Sequence, residues 1–178
     1  MKIRRINLYG GPGCGKSTAA SRLYGEMKAA HYNVEFIPEY IKSWAYAGRV
    51  PKLFDQVYIF SKQMQAEAKA LQHVDHIVSE SPLLLVCSYA IKHHTPGTRQ
   101  LVELAMEFEQ HYPALHVMLD RDGIEYVQHG RYENYEQALV MDQLIENILD
   151  GQNIPTKRVK ATDFEQLWRT TVASIVSA

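Results

Sequence analysis

The sequence predicts an α/β fold, in which a central parallel sheet of five strands is covered by helices on both faces. Short apolar segments alternate with longer segments of helical periodicity along the chain, which is typical of βαβ units. A glycine-rich loop directly follows the first apolar segment, and a helical segment follows the loop. No Pro/Gly/Ser-rich linker or internal repeat interrupts the 178 residues, so the sequence indicates a single domain over residues 1–178.

The predicted strands and helices alternate along the chain. Strands are predicted where short apolar runs occur, at residues 3–9, 33–37, 76–79, 115–119 and 158–160. Helices are predicted where apolar residues recur three or four positions apart, as do Leu101, Leu104, Ala105 and Phe108. They cover residues 16–30, 54–71, 98–111, 136–149 and 164–176, and Gly151 is predicted to cap the fourth helix.

The composition and the charge distribution indicate which kinds of binding partner the protein is expected to have. A composition of 46% hydrophobic and 22% charged residues is that of an ordinary globular domain. Residues 1–50 carry eight Lys or Arg against three Asp or Glu, whereas residues 101–150 carry two against eleven. The formal net charge of −1 disfavours a polynucleotide partner without excluding one.

The sequence also indicates the cellular compartment in which the protein is expected. No apolar run approaches the ~20 residues of a membrane span, and the chain does not begin with a signal-peptide pattern. Its two cysteines, Cys14 and Cys87, are too few for a disulfide framework. We therefore expect a cytoplasmic protein without a membrane partner, in the host cytoplasm if a phage encodes it. A homodimer stays possible.

Residues 10–17 fit the phosphate-binding pattern G-x-x-x-x-G-K-[ST], and they read Gly10-Gly11-Pro12-Gly13-Cys14-Gly15-Lys16-Ser17. The glycines let backbone N–H groups point at phosphate oxygens, and the following helix adds its positive N-terminus. Lys16 is expected to reach the β- and γ-phosphates, Ser17 to bind Mg²⁺ and Thr18 to hold the α-phosphate. Cys14 is expected to contribute its backbone N–H rather than a nucleophilic thiol.

Two acidic residues follow the next strands. Glu39 comes after the second strand, where its carboxylate can accept the proton of an attacking hydroxyl. Glu80 comes after the third strand, the usual source of the acidic residue that holds Mg²⁺ directly or through water. The alternatives are an exposed loop glutamate at position 39 and a solvated or capping glutamate at position 80.

Tyr40, Asp55 and Gln56 are candidate substrate residues. The amide of Gln56 can pair with the edge of a base, and Tyr40, Trp44 and Tyr58 can stack on a ring. The alternative for Asp55 is a helix cap, and the alternative for the aromatic residues is a place in the core.

Arg121 and Arg131 are the two basic residues of the acidic third of the chain, on a polar segment after the fourth strand. We predict that residues 121–135 form a lid whose arginines neutralise charge on the transferring phosphoryl group, and Arg131 is the stronger candidate. The alternative is surface ion pairing.

With these residues assembled, the chain resembles the phage-encoded P-loop kinases related to thymidylate kinases and to the nicotinamide riboside kinase domain. The resemblance covers nearly the whole chain. It rests on residues 10–18, Pro38-Glu39-Tyr40, Asp55-Gln56-x-Tyr58-Ile59-Phe60-x-Lys62-Gln63, residues 75–85 and the segment from Tyr126 through Gly130-Arg131. Within this group it is most similar to the 5-hydroxymethyluracil DNA kinases, which phosphorylate the hydroxymethyl group of the base.

The resemblance implies a P-loop NTPase-type three-layer fold with an arginine-bearing lid. It implies ATP and Mg²⁺ at residues 10–18, a lid function for Arg131 and a metal-side acid at Glu80. The group often has Asp where Glu80 stands, so the longer side chain favours a water-mediated contact with the metal. Glu39 stands where deoxynucleoside kinases have their catalytic carboxylate.

Three functions remain open at this point. The first is phosphorylation of a hydroxyl of a pyrimidine unit, with modified DNA as the favoured acceptor. The second is the same chemistry on a nucleoside, a nucleoside monophosphate or nicotinamide riboside, which the modest net charge favours. The third is an ATP-dependent switch or ATPase subunit. The sequence lacks a guanine-reading Asn-Lys-x-Asp, which argues against a GTP switch.

Overall fold

The structure is a computed structural model that describes residues 2–129 and 131–177. Its five strands are parallel and are arranged in the order β2-β3-β1-β4-β5. They are β1 (Arg5–Tyr9), β2 (Val34–Ile37), β3 (His76–Ser79), β4 (Ala114–Asp120) and β5 (Thr156–Lys160). The chain leaves β1 toward β2 on one side and later returns to β4 on the other. A ligand crevice is therefore expected at the carboxyl end of β1.

Seven helices are present in the described part of the chain. They are α1 (Lys16–Ala29), α2 (Lys42–Tyr46), α3 (Asp55–Leu71), α4 (Leu83–Lys92), α5 (Thr98–His111), α6 (Tyr135–Gly151) and α7 (Phe164–Val176). The helices α1 and α7 cover one face of the sheet, and α3 to α6 cover the other. The three-layer α/β fold predicted from the sequence is thereby confirmed.

The side chains of β1 alternate between the two hydrophobic clusters on the opposite faces of the sheet. Ile6 and Leu8 are fully buried against α1, whereas Tyr9 packs with the cluster formed by α3 to α6. Successive side chains of a strand point to opposite faces, so both faces of a parallel sheet need apolar residues. Burial on both faces holds the carboxyl end of β1 in place, and the glycine-rich loop begins there.

Two helices were not predicted. The segment of α4 is buried from Leu83 to Ser88, so it is apolar on all sides and lacks the periodicity that marks a surface helix. The helix α2 has only five residues, which is too short for a periodic pattern. The prediction for Gly151 was wrong, because Gly151 is the last residue of α6 and the left-handed residue is Asn153, with φ 53°.

The basic residues near the start of the chain are largely engaged at the amino end of the sheet. Arg5 is buried and forms ion pairs with Glu67 of α3 and Glu109 of α5. Arg4 donates hydrogen bonds to backbone carbonyl groups at the end of α3 and just after it, and Lys2 pairs with Asp75 at 3.0 Å. These cations therefore do not contribute to the crevice at the opposite end of the strands.

Among the described residues, no helix combines the length and the apolar character that crossing a bilayer requires. Cys14 and Cys87 are buried and free, and burial raises the pKa of the Cys87 thiol to about 12.

Candidate functional site

A cavity of about 520 Å³ opens at the carboxyl ends of the strands. Its walls come from the glycine-rich loop and the start of α1, from the β2–α2 connection and the α2–α3 segment, from α4 and from the lid. We use the name lid for residues 121–135, of which Gly130 lies outside the described residues. The volume is in the range of small-molecule and cofactor sites.

The glycine-rich loop has a backbone that only glycine adopts easily. Gly10, Gly13 and Gly15 have φ values of 142°, 74° and 87°. A methyl group on Gly10 would lie 2.4 Å from Cys14 Sγ, and one on Gly13 would lie 2.7 Å from the ring of Tyr126. Cys14 is thus packed under the loop as a buried side chain, and Tyr126 of the lid rests on the loop.

Helix α1 begins at Lys16, directly after the loop, so its free N–H groups face the same cavity. Pro12, Gly13 and residues 15–18 line the cavity, whereas Gly10, Gly11 and Cys14 lie behind it. The Lys16 ammonium donates to the carbonyl groups of Gly10 and Gly11, at 2.7 and 3.0 Å. The Ser17 hydroxyl lies 3.4 Å from Nζ of Lys42, the first residue of α2.

Glu39 and Glu80 follow the neighbouring strands β2 and β3 and meet at the sheet edge. Glu80 Oε1 accepts a hydrogen bond of 3.0 Å from the backbone N–H of Glu39. Glu39 lines the cavity, and burial raises its pKa while the nearby Lys16 charge opposes that rise. Glu80 is buried below the cavity wall. The structure thus brings the two predicted acids together, and Glu39 lies near Lys16 of the loop.

Ser17 lines the cavity and Glu80 is buried, and their hydroxyl and carboxylate are oxygen donors of the kind that Mg²⁺ takes. This ion takes few protein ligands and completes its shell with water and substrate phosphates. Oε2 of Glu80 is buried and has no hydrogen-bond partner among the described residues, so this oxygen is available to a metal ion or to one of its water ligands. No group of three or more His, Cys, Asp or Glu in the described ranges is arranged to hold a metal by itself.

The two lid arginines are in different environments. Arg131 lines the cavity, and its guanidinium lies 5.6 Å from the ring centroid of Tyr126. Arg121 does not line it. Arg121 directly follows β4, so it lies beside α6, where it pairs with Asp142 and donates to the Pro12 carbonyl at 3.2 Å. Arg121 is thus ion-paired and mostly shielded beside the loop, and its charge-neutralising function stays a prediction.

The candidate substrate residues are only partly brought together. Gln56 is 2% exposed and lines the cavity, and its Oε1 has no hydrogen-bond partner among the described residues. The carboxylate of Asp55 accepts from the Lys52 backbone N–H at 2.8 Å and pairs with Arg49, outside the cavity wall. Asp55 thus stabilises the turn before α3.

Tyr40 also lies outside the cavity wall. Its hydroxyl donates to that of Tyr58, and its ring packs edge-on against Trp44. These aromatic residues form a cluster behind the α2 side of the cavity, and the rings of Trp44 and Tyr58 stack on each other.

Sequence analysis missed an ion pair inside the cavity. Lys92, the last residue of α4, lies 2.6 Å from a carboxylate oxygen of Glu133 in the lid, and both residues line the cavity. Tyr89 lines it as well, and burial together with the Glu133 charge raises its pKa. Nothing in the sequence pointed to Lys92. The capping box of Asn134 and Gln137, which starts α6, would have located the end of the lid.

Solved structures of other proteins share this fold. The crystal structure of NadR protein in complex with NR superimposes with a TM-score of 0.77 at 15% identity, over 98% of this chain and 52% of that one. NadR protein in complex with NAD and AMP-PNP gives a TM-score of 0.74 at 14% identity, over 98% of this chain and 50% of that one. The present chain therefore spans about half the length of these proteins.

No curated protein shows a significant match to the chain. A family model described as AAA domain matches residues 5–166, from the first strand into the last helix. Because this match covers most of the sequence, including the glycine-rich loop and every strand, the chain belongs to the AAA domain family.

Proposed function

We propose that this protein is an ATP-dependent kinase that transfers the γ-phosphoryl group of ATP to a hydroxyl group of a nucleoside-type acceptor. One observation carries the proposal: Lys16 of the glycine-rich loop and Glu39 line the same cavity, close enough for the Lys16 charge to oppose the rise that burial causes in the pKa of Glu39. A phosphate-binding lysine beside a carboxylate is what phosphoryl transfer to an alcohol requires.

The donor half of the cavity is the glycine-rich loop and the start of α1. Backbone N–H groups and the helix N-terminus hold the phosphates, and Lys16 neutralises charge on the β- and γ-phosphates. Ser17 and Glu80 would hold Mg²⁺, which supplies further neutralisation of the phosphate charge when it is bound.

The transfer step uses Glu39 and Arg131. The acceptor oxygen attacks the γ-phosphorus, the bond to the β,γ-bridging oxygen breaks, ADP leaves, and the acceptor proton passes to the Glu39 carboxylate. Burial raises the pKa of Glu39, which makes this carboxylate a stronger base than an exposed glutamate. Arg131, beside the loop at Gly13, stabilises charge on the moving phosphoryl group.

The acceptor half is formed by α2, α3 and α4. Ile59 and Val86 give it apolar walls, and the buried amide of Gln56 offers an oxygen without a partner. An amide pairs well with the N–H and C=O edge of a pyrimidine or a carboxamide, and burying it unpaired is costly. This chemistry favours a nucleoside-type acceptor, and the NadR protein that shares the fold was solved in complex with NR.

The finer proposal is that the acceptor is the 5-hydroxymethyl group of 5-hydroxymethyluracil in DNA. Tyr46, Phe54 and Tyr58 are 68%, 59% and 46% exposed on the α2–α3 segment, which also carries Arg49 and Lys52. Exposed aromatic and basic side chains suit the stacking and phosphate contacts of a nucleic-acid strand. A base in DNA would have to be flipped out of the stack to reach the cavity.

Two alternatives have support of their own. The modest net charge of −1 favours a small acceptor, which is a free nucleoside, a nucleoside monophosphate or nicotinamide riboside. A chain of the AAA domain family also has the parts to bind and hydrolyse ATP without any alcohol acceptor, which is the third alternative.

The test is a transfer assay with γ-labelled ATP and Mg²⁺. The acceptor panel contains DNA with 5-hydroxymethyluracil, ordinary DNA, free nucleosides, monophosphates and nicotinamide riboside. We expect label on the modified DNA and none on ordinary DNA. Label on a small acceptor alone would favour the second alternative, and ATP hydrolysis without any labelled acceptor would overturn the kinase proposal.

Gln56 is tested in the same assay. Gln56→Ala should raise the KM for the acceptor at least about tenfold while leaving the KM for ATP nearly unchanged, because one buried hydrogen bond is lost. Gln72→Ala, at an exposed position after α3, is the matched control. An equal change in both KM values would remove Gln56 from the acceptor half.

A further inference from the structure

The charges that line the cavity are unevenly distributed between its two halves. Four Lys or Arg side chains line it among the described residues, and they are Lys16, Lys42, Lys92 and Arg131. Lys16 belongs to the glycine-rich loop, and the Lys42 ammonium lies 3.4 Å from Ser17 Oγ. Arg131 Nε lies beside Gly13, within 3.5 Å of where a methyl group on that glycine would be. Although Lys42 begins α2, its ammonium lies beside Ser17, so the charges of three of the four cations lie on the donor side.

Lys92 is the remaining cation, and it is neutralised. Its ammonium lies 2.6 Å from Oε1 of Glu133, and the side chains are 25% and 6% exposed. An ion pair this well shielded from water is only weakly screened by salt. The neighbouring His93 also lines the cavity, but burial and the Lys92 charge lower its pKa, so it is uncharged at neutral pH.

Two carboxylates occupy the same region. Glu39 and Glu133 both line the cavity, and the Glu133 charge is close enough to raise the pKa values of Glu39 and Tyr89. The group that meets the γ-phosphoryl of ATP has to lie next to Glu39. That group therefore lies beside the Glu39 carboxylate, and Lys92, the cation that the described residues place in the acceptor half, is already neutralised by Glu133. A neutral hydroxyl is accepted there, whereas a phosphate is repelled.

We infer that the Lys92–Glu133 ion pair is a specificity determinant that makes the acceptor half select an alcohol and reject a phosphate, so that nucleoside monophosphates are poor phosphoryl acceptors. The inference rests on the proposed function, because it takes the α2–α4 side of the cavity as the acceptor half. Glu133 acts by cancelling the charge of Lys92, and it does so without touching the reacting atoms.

The experiment compares two ligands that differ by one phosphate, thymidine and thymidine 5′-monophosphate. Their Kd values are measured by calorimetry on the full chain with AMP-PNP and Mg²⁺ present. We expect the native protein to bind the nucleoside at least about tenfold more tightly than the monophosphate, because a phosphate beside a carboxylate is repelled.

Glu133→Gln frees the Lys92 charge and should shift the ratio of the two Kd values toward the monophosphate at least about tenfold. Lys92→Gln removes the cation but keeps Glu133, so it should shift the ratio in the opposite direction. Glu125→Gln, at an exposed position of the same lid, makes the same change in net charge and should leave the ratio unaltered. Thermal melting checks that each variant is folded. If Glu133→Gln does not fold, the result for Lys92→Gln decides the test.

An unchanged ratio in Glu133→Gln, or a loss of affinity that is equal for both ligands, would overturn the inference. Tighter binding of the monophosphate by the native protein would overturn it too. Binding of neither ligand by protein that binds AMP-PNP would overturn the acceptor-half assignment on which it rests. The two claims are tested by different measurements. If the native protein transfers label to no acceptor, the proposed function is wrong. The ratio of the two Kd values still decides this inference, because it measures binding and not transfer.

Discussion

Asp142 of α6 binds the guanidinium of Arg121, with its Oδ2 lying 2.7 Å from Nε and 2.6 Å from Nη2. Its other oxygen, Oδ1, accepts a hydrogen bond of 2.5 Å from the backbone N–H of Gly11. One carboxylate thus joins the start of the lid to the glycine-rich loop. Because Arg121 also donates to the Pro12 carbonyl, the loop is held from both sides.

Asp142→Asn should destabilise the protein and weaken ATP binding. The pair is mostly shielded, with side chains 11% and 20% exposed, so its loss should cost about 2 kcal/mol of unfolding free energy. ATP affinity should fall about tenfold, because the loop loses a support that orders it. Urea unfolding and AMP-PNP titration measure the two effects. Asp150→Asn, exposed on the same helix, is the control, and equal behaviour of the two variants would contradict the prediction.

Lys16→Ala should lower kcat at least about 100-fold, because it removes the charge that neutralises the transferring phosphate. The measurement is the initial rate with the acceptor identified in the transfer assay. Lys28→Ala, exposed at the other end of α1, should retain the native rate. Near-normal turnover of Lys16→Ala would overturn the nucleotide assignment of the loop.

Glu39→Gln should slow transfer by about 10²–10⁴-fold while keeping ATP affinity, because the base is lost and the phosphate contacts remain. Burial raises the pKa of Glu39 above its ordinary value of 4.5. A base works only when ionised, so the native rate should fall as the pH drops through that raised pKa, at a higher pH than for an exposed glutamate. The pH–rate profile checks this. An acid limb that survives in Glu39→Gln would show that another group is the base.

Arg131→Ala should lower kcat at least about 100-fold and weaken ground-state ATP binding much less, because its charge acts on the transition state. The comparison is between kcat and the Kd of AMP-PNP. Arg169→Ala, which breaks an exposed i,i+4 pair on α7, serves as the control. An unchanged kcat would remove Arg131 from the proposed transfer step.

Most of the sheet was predictable because β1 to β4 are short, largely apolar runs set between polar loops. The strand β5 was predicted short, since Val159 is its single buried residue and the rest of this edge strand is polar. The helix α4 escaped prediction for the opposite reason. Its buried run from Leu83 to Cys87 gives no periodic signal, and only the packing against α3, α5 and α6 defines it.

The site was predictable where a local pattern carries the chemistry. The glycine-rich loop is continuous in sequence, so its residues could be named, and the acids Glu39 and Glu80 follow from strand ends. The pair of Lys92 and Glu133 joins residues 41 positions apart, and neither belongs to a motif. The separation of Arg121 from Arg131 likewise depends on Asp142, whose position is set by the packing of α6.

The hydroxyl of Tyr132, a lid residue that lines the cavity, donates to the backbone carbonyl of Arg49, which precedes the cavity residue Val50. We expect a molecule as large as a nucleoside triphosphate to part this contact when it enters or leaves. We predict that this opening, rather than bond making at phosphorus, limits the rate of each cycle. A rapid burst of product in the first cycle, followed by a slower steady rate, is the kinetic signature of such gated release.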